Sequence, residues 1–316
     1  MNLRQFIPSL EPIKDKDFNF TFSVFTPLYN AEKTIERVHQ SLLNQSFTDF
    51  EWIIINDGSS DKSHDVIQNI VASSPLTINY INNASNKHKM ACFFQAIHIA
   101  NGRLFLTFDA DDECLPDSLE IFNTEYYTLS KEQRSDIIAV TGLCKDQNGN
   151  TIGSQFPSNP LISNPFEIKA IKNIKGEKWG FTRTTHLQSI KFDDCFIVNG
   201  FMMEGIIWNL LAKHGYQTKY INTVVRIYHT NVANSISSVG DDKTALGSVV
   251  YYVALYNWFF KSHARKAPMF FFKRLYFLLS KSKFLDLNLK NYTTSIDSFL
   301  IKFLVVLLWP FRKFFK

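Results

Sequence analysis

The stretch Leu104-Phe105-Leu106-Thr107-Phe108-Asp109-Ala110-Asp111-Asp112 passes in one step from apolar and β-branched residues to carboxylates. A short run of that first kind is what a strand buried on both faces of a parallel sheet requires. Working outward, the same pattern recurs. Phe20 to Leu28 (FTFSVFTPL) ends at Tyr29-Asn30, and Trp52-Ile53-Ile54-Ile55 ends at the turn formers Asn56-Asp57-Gly58-Ser59-Ser60-Asp61. Between them Ile35, Val38, Leu42 and Leu43 recur on one helical face, with Asn30 as the expected N-cap. Val66, Ile67 and Ile70 mark a second helix that Ser60 or Asp61 can cap. Thr77 to Ile81 reads as a third strand, and Lys89 to Ala100 as a helix closed by Asn101-Gly102. Strands alternating with helices predict a Rossmann-like, mostly parallel sheet flanked by helices, which takes its ligands beyond the carboxyl ends of the strands. Tyr29-Asn30, Asp57, Asp109 and Asp111 all fall there.

Length and charge divide the chain. At 316 residues it is long enough for one large α/β domain, 1–260, and a helical extension, 261–316. The extension holds 12 basic residues against only Asp286 and Asp297, which leaves 22 basic and 27 acidic residues before it. A main domain of net −5 argues against nucleic-acid binding, which needs Lys and Arg on phosphates. Cys92, Cys114, Cys144 and Cys195 are too scattered for a zinc knuckle or a redox dithiol and read as buried thiols of a reducing compartment. Residues 1–20 carry several charges and no apolar core, so no signal peptide is expected there.

Carboxylates converging from a turn suit Mn²⁺ or Mg²⁺, hard cations usually held by one or two carboxylates and substrate phosphates. Taken alone, Asp109-Ala110-Asp111 is a weak signal and fits better a solvated turn in which Asp112 or Asp117 caps a Leu115–Leu129 helix. Asp57 at the end of a second strand of the same sheet favours the metal.

Three segments together carry a resemblance. Phe25-Thr26-Pro27-Leu28-Tyr29-Asn30, then Asn56 to Asp61, then Gly102 through Phe108 into Asp109-Ala110-Asp111-Asp112, resemble the successive signatures of family 2 glycosyltransferases with the GT-A fold. They span residues 20–120. The resemblance implies a nucleotide-sugar donor, a UDP-sugar first, and a divalent metal. Asp57 would accept the ring N–H of the base, Pro27 and Tyr29 would frame that base, Asp109 would touch the ribose, and Asp111 would bind the metal. Asn30 and Lys89 are expected in the same donor site. The segment Asn86-Lys87-His88-Lys89 is similar to the family's Gly-Lys segment without its glycine.

The second half supplies the remaining candidates. Phe201-Met202-Met203-Glu204-Gly205-Ile206-Ile207-Trp208 resembles the family's acidic segment, with Met203 where proline is usual. By that resemblance Glu204 is the base of an inverting transfer, with Asp193 and Asp194 as competing carboxylates. The alternative is that Glu204 caps the following helix, since acidic residues favour helix N-termini. Arg226-Ile227-Tyr228-His229 resembles a late segment in which a histidine, here His229, completes the metal or diphosphate site. Trp179-Gly180-Phe181-Thr182-Arg183 is a candidate pocket wall, with Arg183 facing a phosphate.

Phe299 to Phe311 is apolar apart from Lys302, yet its 13 residues fall short of the ~20 a spanning helix needs. Aromatic and aliphatic residues mixed with cations, here and in Pro268–Leu279, suit a helix lying in an anionic membrane interface. The expectation is a cytoplasmic protein, peripheral on the inner face of the membrane, acting on a saccharide or lipid-linked saccharide in bacterial surface polysaccharide assembly. The competing expectation is a helix packed on the domain. No G-x-G-x-x-G follows the first strand, which excludes a dinucleotide oxidoreductase. A nucleotidyltransferase should have a Gly- and Arg-rich phosphate loop near the N-terminus, and a processive synthase several spanning helices and a Gln-x-x-Arg-Trp segment. The remaining alternative is a non-catalytic nucleotide-sugar or carbohydrate-binding protein on a transferase scaffold.

Overall fold

The computed structural model describes residues 2–198, 201–230 and 240–315. In chain order the strands are β1 (Ser9–Leu10), β2 (Phe20–Leu28), β3 (Phe50–Asp57), β4 (Ile78–Asn83), β5 (Gly102–Thr107), β6 (Glu113–Cys114), β7 (Ile137–Asp146), β8 (Leu161–Ser163), β9 (Lys178–Arg183), β10 (Ile190–Lys191) and β11 (Gln217–Tyr228). The helices of the first half are α1 (Ile35–Leu43), α2 (Ser63–Ser73), α3 (Lys89–Ile99), α4 (Ser118–Tyr127), α5 (Gln133–Asp136), α6 (Pro165–Ala170), α7 (Thr184–Gln188) and α8 (Asp194–Val198). Those that follow are α9 (Gly205–Lys213), α10 (Asp241–Leu255), α11 (Lys261–His263), α12 (Pro268–Ser282), α13 (Leu289–Ser295) and α14 (Phe299–Leu308).

One sheet runs β4-β3-β2-β5-β9-β7-β11-β6, with β8 on β11. The half built from β2, β3, β4 and β5 is parallel, as its alternation with helices predicts. The second half is mixed rather than mostly parallel. β9 enters antiparallel between β5 and β7, whereas β7 and β11 pair in parallel. The β7-to-β9 link is the weakly patterned stretch 147–177, where periodicity alone gives no strand direction.

The side-chain period of two deals residues to two cores. From β3, Trp52 and Ile54 go to the layer beneath α1, α2 and α4, whereas Ile53 and Ile55 go to the layer beneath α3 and α9. Every residue of β3 is buried, which is why it reads as a continuous apolar run. At the edge away from the carboxyl ends, Ser23 Oγ donates to Glu51 Oε1 at 2.6 Å and accepts from Gly102 N at 2.8 Å. A Cβ at Gly102 would lie 2.2 Å from the Phe22 carbonyl carbon, so only glycine lets β5 start against β2.

Residue 260 is not a boundary in the structure. α10, a π-helical turn at Tyr256–Phe260 and α11 follow without a break, because the apolar residues there continue to find partners. Phe271, Leu275, Leu278, Leu279, Tyr292, Ile296, Ile301 and Val305 of the extension belong to the same core as α3, α9 and α10. The opposite face of α14 is also apolar: Phe299 is 83% exposed, and Phe303 and Leu307 follow it one turn at a time. Phe314, just beyond, is 81% exposed. Among the described residues no helix is long and apolar enough to cross a membrane.

Candidate active site

Parallel pairing of β2, β3 and β5 puts their carboxyl ends at one edge, and the wide cleft there has a volume of about 2320 Å³. Pro27, Tyr29, Asn30, Asp57, Lys89, Asp109, Asp111, Glu204 and His229 all line it. Nine of the ten candidates therefore share one cavity; the tenth does not. Arg183 ends β9, which runs antiparallel to β5, so it sits opposite Leu104 at the far edge of the sheet. Its guanidinium donates to Arg134 O at 3.2 Å and lines a smaller pocket with Tyr126 and Tyr127. Reversal of β9 instead brings Trp179 to the cleft, where its Nε1 donates to Thr107 O at 2.7 Å.

The first two loops interlock. Asn30 adopts φ +51° and is not the cap of α1, whose N-cap position is Thr34. The Asn30 side chain instead accepts from Ser60 N at 2.8 Å, and its own N–H donates to Ser59 Oγ at 2.9 Å. Neither Ser60 nor Asp61 holds the N-cap position of α2, which is Lys62; Asp61 accepts from Ser63 N at 3.0 Å, and Ser60 Oγ turns to Asn30. Gly58 makes the turn at φ +68°, and a Cβ there would meet the Ser85 carbonyl carbon at 2.6 Å. This closeness lets the Asp57 carboxylate accept from Lys87 N and His88 N, each at 2.8 Å. Asp57 thus fixes the Asn86–Lys89 segment, and each oxygen keeps a further acceptor site.

Lys89, in the first turn of α3, reaches Asp109 at 2.6 Å. Burial works to raise the Asp109 carboxyl, but Lys89 and then Arg226 outweigh it and leave the pKa lowered. Burial works to lower the Lys89 ammonium, but Asp109 and Glu204 raise it, so this cation lies in the field of both carboxylates. Asp111 is raised, by burial first and then by Asp109. Its carboxylate forms no ion pair among the described residues.

Neither Asp112 nor Asp117 caps α4. Asp117 holds the N-cap position without a side-chain hydrogen bond, and Asp112 is fully buried, 3.3 Å from Arg226. Asp112 also accepts from His229 N at 3.0 Å. Burial pushes its pKa up to about 7 against the pull of Arg226. Arg226 is the centre that sequence reading named only as part of a motif. Its guanidinium lies within 3.3 to 3.7 Å of Asp109, Asp112 and Glu177. β11 places it there by pairing with β7 along one side and with β6 along the other. The His229 ring turns its Nε2 to Glu113 Oε1 at 2.8 Å.

Glu204, which also lines the cleft, precedes α9, and its side chain makes no capping hydrogen bond. Asp193 accepts from Cys195 N at 3.0 Å, and neither Asp193 nor Asp194 lines the cleft.

Comparison with known proteins accords with this geometry. The profile of Glycosyl transferase family 2 matches residues 23–196. A GalNAc(5)-diNAcBac-PP-undecaprenol beta-1,3-glucosyltransferase of Campylobacter jejuni is 24% identical over 236 residues, 74% of this chain and 72% of that protein. The minor teichoic acid biosynthesis protein GgaB of Bacillus subtilis is 28% identical over 64% of this chain, but only 23% of that longer protein is matched. Among solved structures, S. aureus TarS 1-349 in complex with UDP-GlcNAc superposes with a TM-score of 0.56 at 19% identity, covering 87% of this chain and 78% of that one. Its likeness is one of fold, the GT-A arrangement of a curled mixed sheet between helices. With the family's profile covering more than half of the residues, this chain belongs to glycosyl transferase family 2 and is a glycosyltransferase.

Proposed function

We propose that the enzyme transfers a sugar, with inversion and with the help of Mn²⁺ or Mg²⁺, from a UDP-sugar to a hydroxyl of a lipid-linked saccharide in bacterial surface polysaccharide synthesis. The observation that carries this reading is that Asp109, Asp111 and Glu204 line one cleft, with Lys89 in the field of Asp109 and Glu204. The acceptor class draws on the printed names of the Campylobacter and Bacillus relatives.

The residues fit a divalent metal. Among the described residues no cluster of three His, Cys, Asp or Glu side chains could hold an ion alone, as expected where substrate phosphates complete the coordination. Asp111, which forms no ion pair among the described residues, would be the carboxylate to hold the ion, and His229 would join it through the ring nitrogen that Glu113 leaves open. A ligating histidine usually gives its other nitrogen to a carboxylate, the place Glu113 takes on Nε2. When bound, the cation stabilises charge on the departing diphosphate.

The chain's own residues supply the rest. Tyr29 and Pro27 flank the base, and Asp57 accepts its ring N–H with the lone pairs left after binding Lys87 and His88. Asp109, anchored by Lys89 and Arg226, would touch the ribose. Glu204 takes the proton of the acceptor hydroxyl as that oxygen bonds to C1, and the C1–O electron pair leaves with the diphosphate. α14 keeps the enzyme on an anionic inner membrane face through its exposed apolar side.

The test is UDP release from UDP-sugars with and without Mn²⁺, in the wild type and Glu204→Ala. Metal-stimulated release that disappears in the variant, with UDP binding retained, is the expected result. Equal release by both proteins would remove Glu204 from catalysis; donor binding without turnover would favour the non-catalytic alternative.

A further inference from the structure

The cleft is much larger than one donor needs, since small-molecule sites occupy roughly 300–1,000 Å³ and this one is about 2320 Å³. Its surplus space has a distinct chemistry. Away from the aspartates the wall is formed by α6, the segment after it and the first turns of α12, which bring Lys169, Lys175, Lys273 and Arg274 into the same cavity. Among the described residues none of these four side chains takes part in an ion pair. Glu177, the acid on this wall, lies 3.5 Å from Arg226. The Arg274 guanidinium stacks 4.2 Å from the Phe270 ring, and its buried Nε has no hydrogen-bond partner. Lys169 stands close enough to Arg274 that, after desolvation, the guanidinium charge is the next cause lowering its pKa. Glu177 is the carboxylate that offsets this, and it also faces Arg226; cations gathered in a cavity in excess of their counter-charge repel one another, and a bound anion relieves that repulsion. Beside them Met269 and Phe272 are each 64% exposed.

We propose that Lys169, Lys175, Lys273 and Arg274 form an acceptor subsite that holds a phosphate group of the acceptor. The naming of the ligand as an acceptor rests on the transferase reading; the affinity for phosphate does not. Two sources carry that chemistry: the diphosphate of a lipid-linked saccharide, whose chain would lie along Met269 and Phe272, and the phosphodiesters of a polyol-phosphate polymer.

Full-length protein saturated with UDP and Mn²⁺ is titrated in a calorimeter with farnesyl diphosphate, farnesol or a glycerol-phosphate oligomer. At least one phosphate probe should bind, and the one that binds identifies the source. Lys273→Gln/Arg274→Gln should weaken it by roughly ten- to a hundredfold, the loss of charge-assisted contacts, with UDP affinity and farnesol binding unchanged. Should the Arg274 substitution unfold the chain, Lys175→Gln/Lys273→Gln, at two exposed positions, carries the same test. No binding of either phosphate probe by the wild type, or equal binding by wild type and variant, overturns the proposal. Failure of the wild type to bind UDP in the first place would strike the transferase reading instead.

Discussion

Arg226→Met keeps the bulk of the side chain and removes its charge from beneath the aspartates. In the wild type the guanidinium is 4% exposed and lies 3.3 Å from Asp112, which is fully buried, and 3.7 Å from Asp109. Removing one partner of a buried pair costs about 3–5 kcal/mol, because the other charge stays desolvated and unpaired. Glu177 is half exposed and adds little to that sum. The sign of the pH dependence follows from the carboxylates. Asp112 already binds its proton more tightly folded than unfolded and does so further without Arg226, while Asp109, whose pKa is lowered in the wild type, loses one of the two cations that lower it. A folded state that holds more protons than the unfolded chain loses stability as pH rises, by about 1.4 kcal/mol per unit for each group while it titrates. Urea denaturation from pH 5 to pH 8 should therefore show a deficit that is largest at pH 8 and shrinks toward pH 5. Adding Asp112→Asn should recover part of the loss at pH 8. A deficit below about 1 kcal/mol, or one that is the same at every pH, would refute the reasoning.

Asp111→Asn should abolish the extra stabilisation that Mn²⁺ adds to UDP binding, about 2.7 kcal/mol at a hundredfold excess over Kd; a persisting metal effect in thermal melts would place the ion elsewhere. His186, buried behind Arg183, has its pKa lowered to about 3, by burial first and then by the guanidinium. The unfolded imidazole then binds the proton more tightly, so this stability is present above about pH 6.5 and declines as pH falls toward 3, by ~1.4 kcal/mol per unit. Denaturation at pH 5 and pH 7 should show a smaller acid loss for His186→Asn than for wild type. Phe299→Ser and Phe303→Ser should each weaken binding to phosphatidylglycerol vesicles by roughly ten- to a hundredfold; flotation equal to wild type would clear α14 of a membrane role.

The first half of the molecule was legible because its signals are local. Buried parallel strands are short apolar runs, so β2, β3 and β5 and the acidic turns after them stand out in the sequence, and the donor edge follows from parallel pairing. What escaped depends on strand direction and on distant contacts. Arg183 was grouped with Trp179 as one pocket wall, but β9 runs antiparallel to β5 and carries Arg183 to the other edge. Arg226 looked like a flank of His229 because nothing local says that β11 runs beneath the aspartates. The basic end of the cleft was unreadable for the same reason, since Lys169 and Arg274 stand far apart in the chain. Asn30 misled through its type: asparagine favours N-caps and also the left-handed backbone, and here φ +51° serves a bridge between loops.

The extension was read as either a membrane anchor or a packing helix, and α14 has one apolar side in the core and another that is exposed. Ile301 and Val305 enter the core that holds up α9, while Phe299 and Phe303 point away from it. Truncating the gene before the last helices to obtain a more tractable enzyme would remove Ile301 and Val305 from the core that α9 shares, and inactivity of such a fragment would say nothing about lipids. The exposed apolar side is better tested by substitutions on the outer surface, one phenylalanine at a time, with the full chain kept in place.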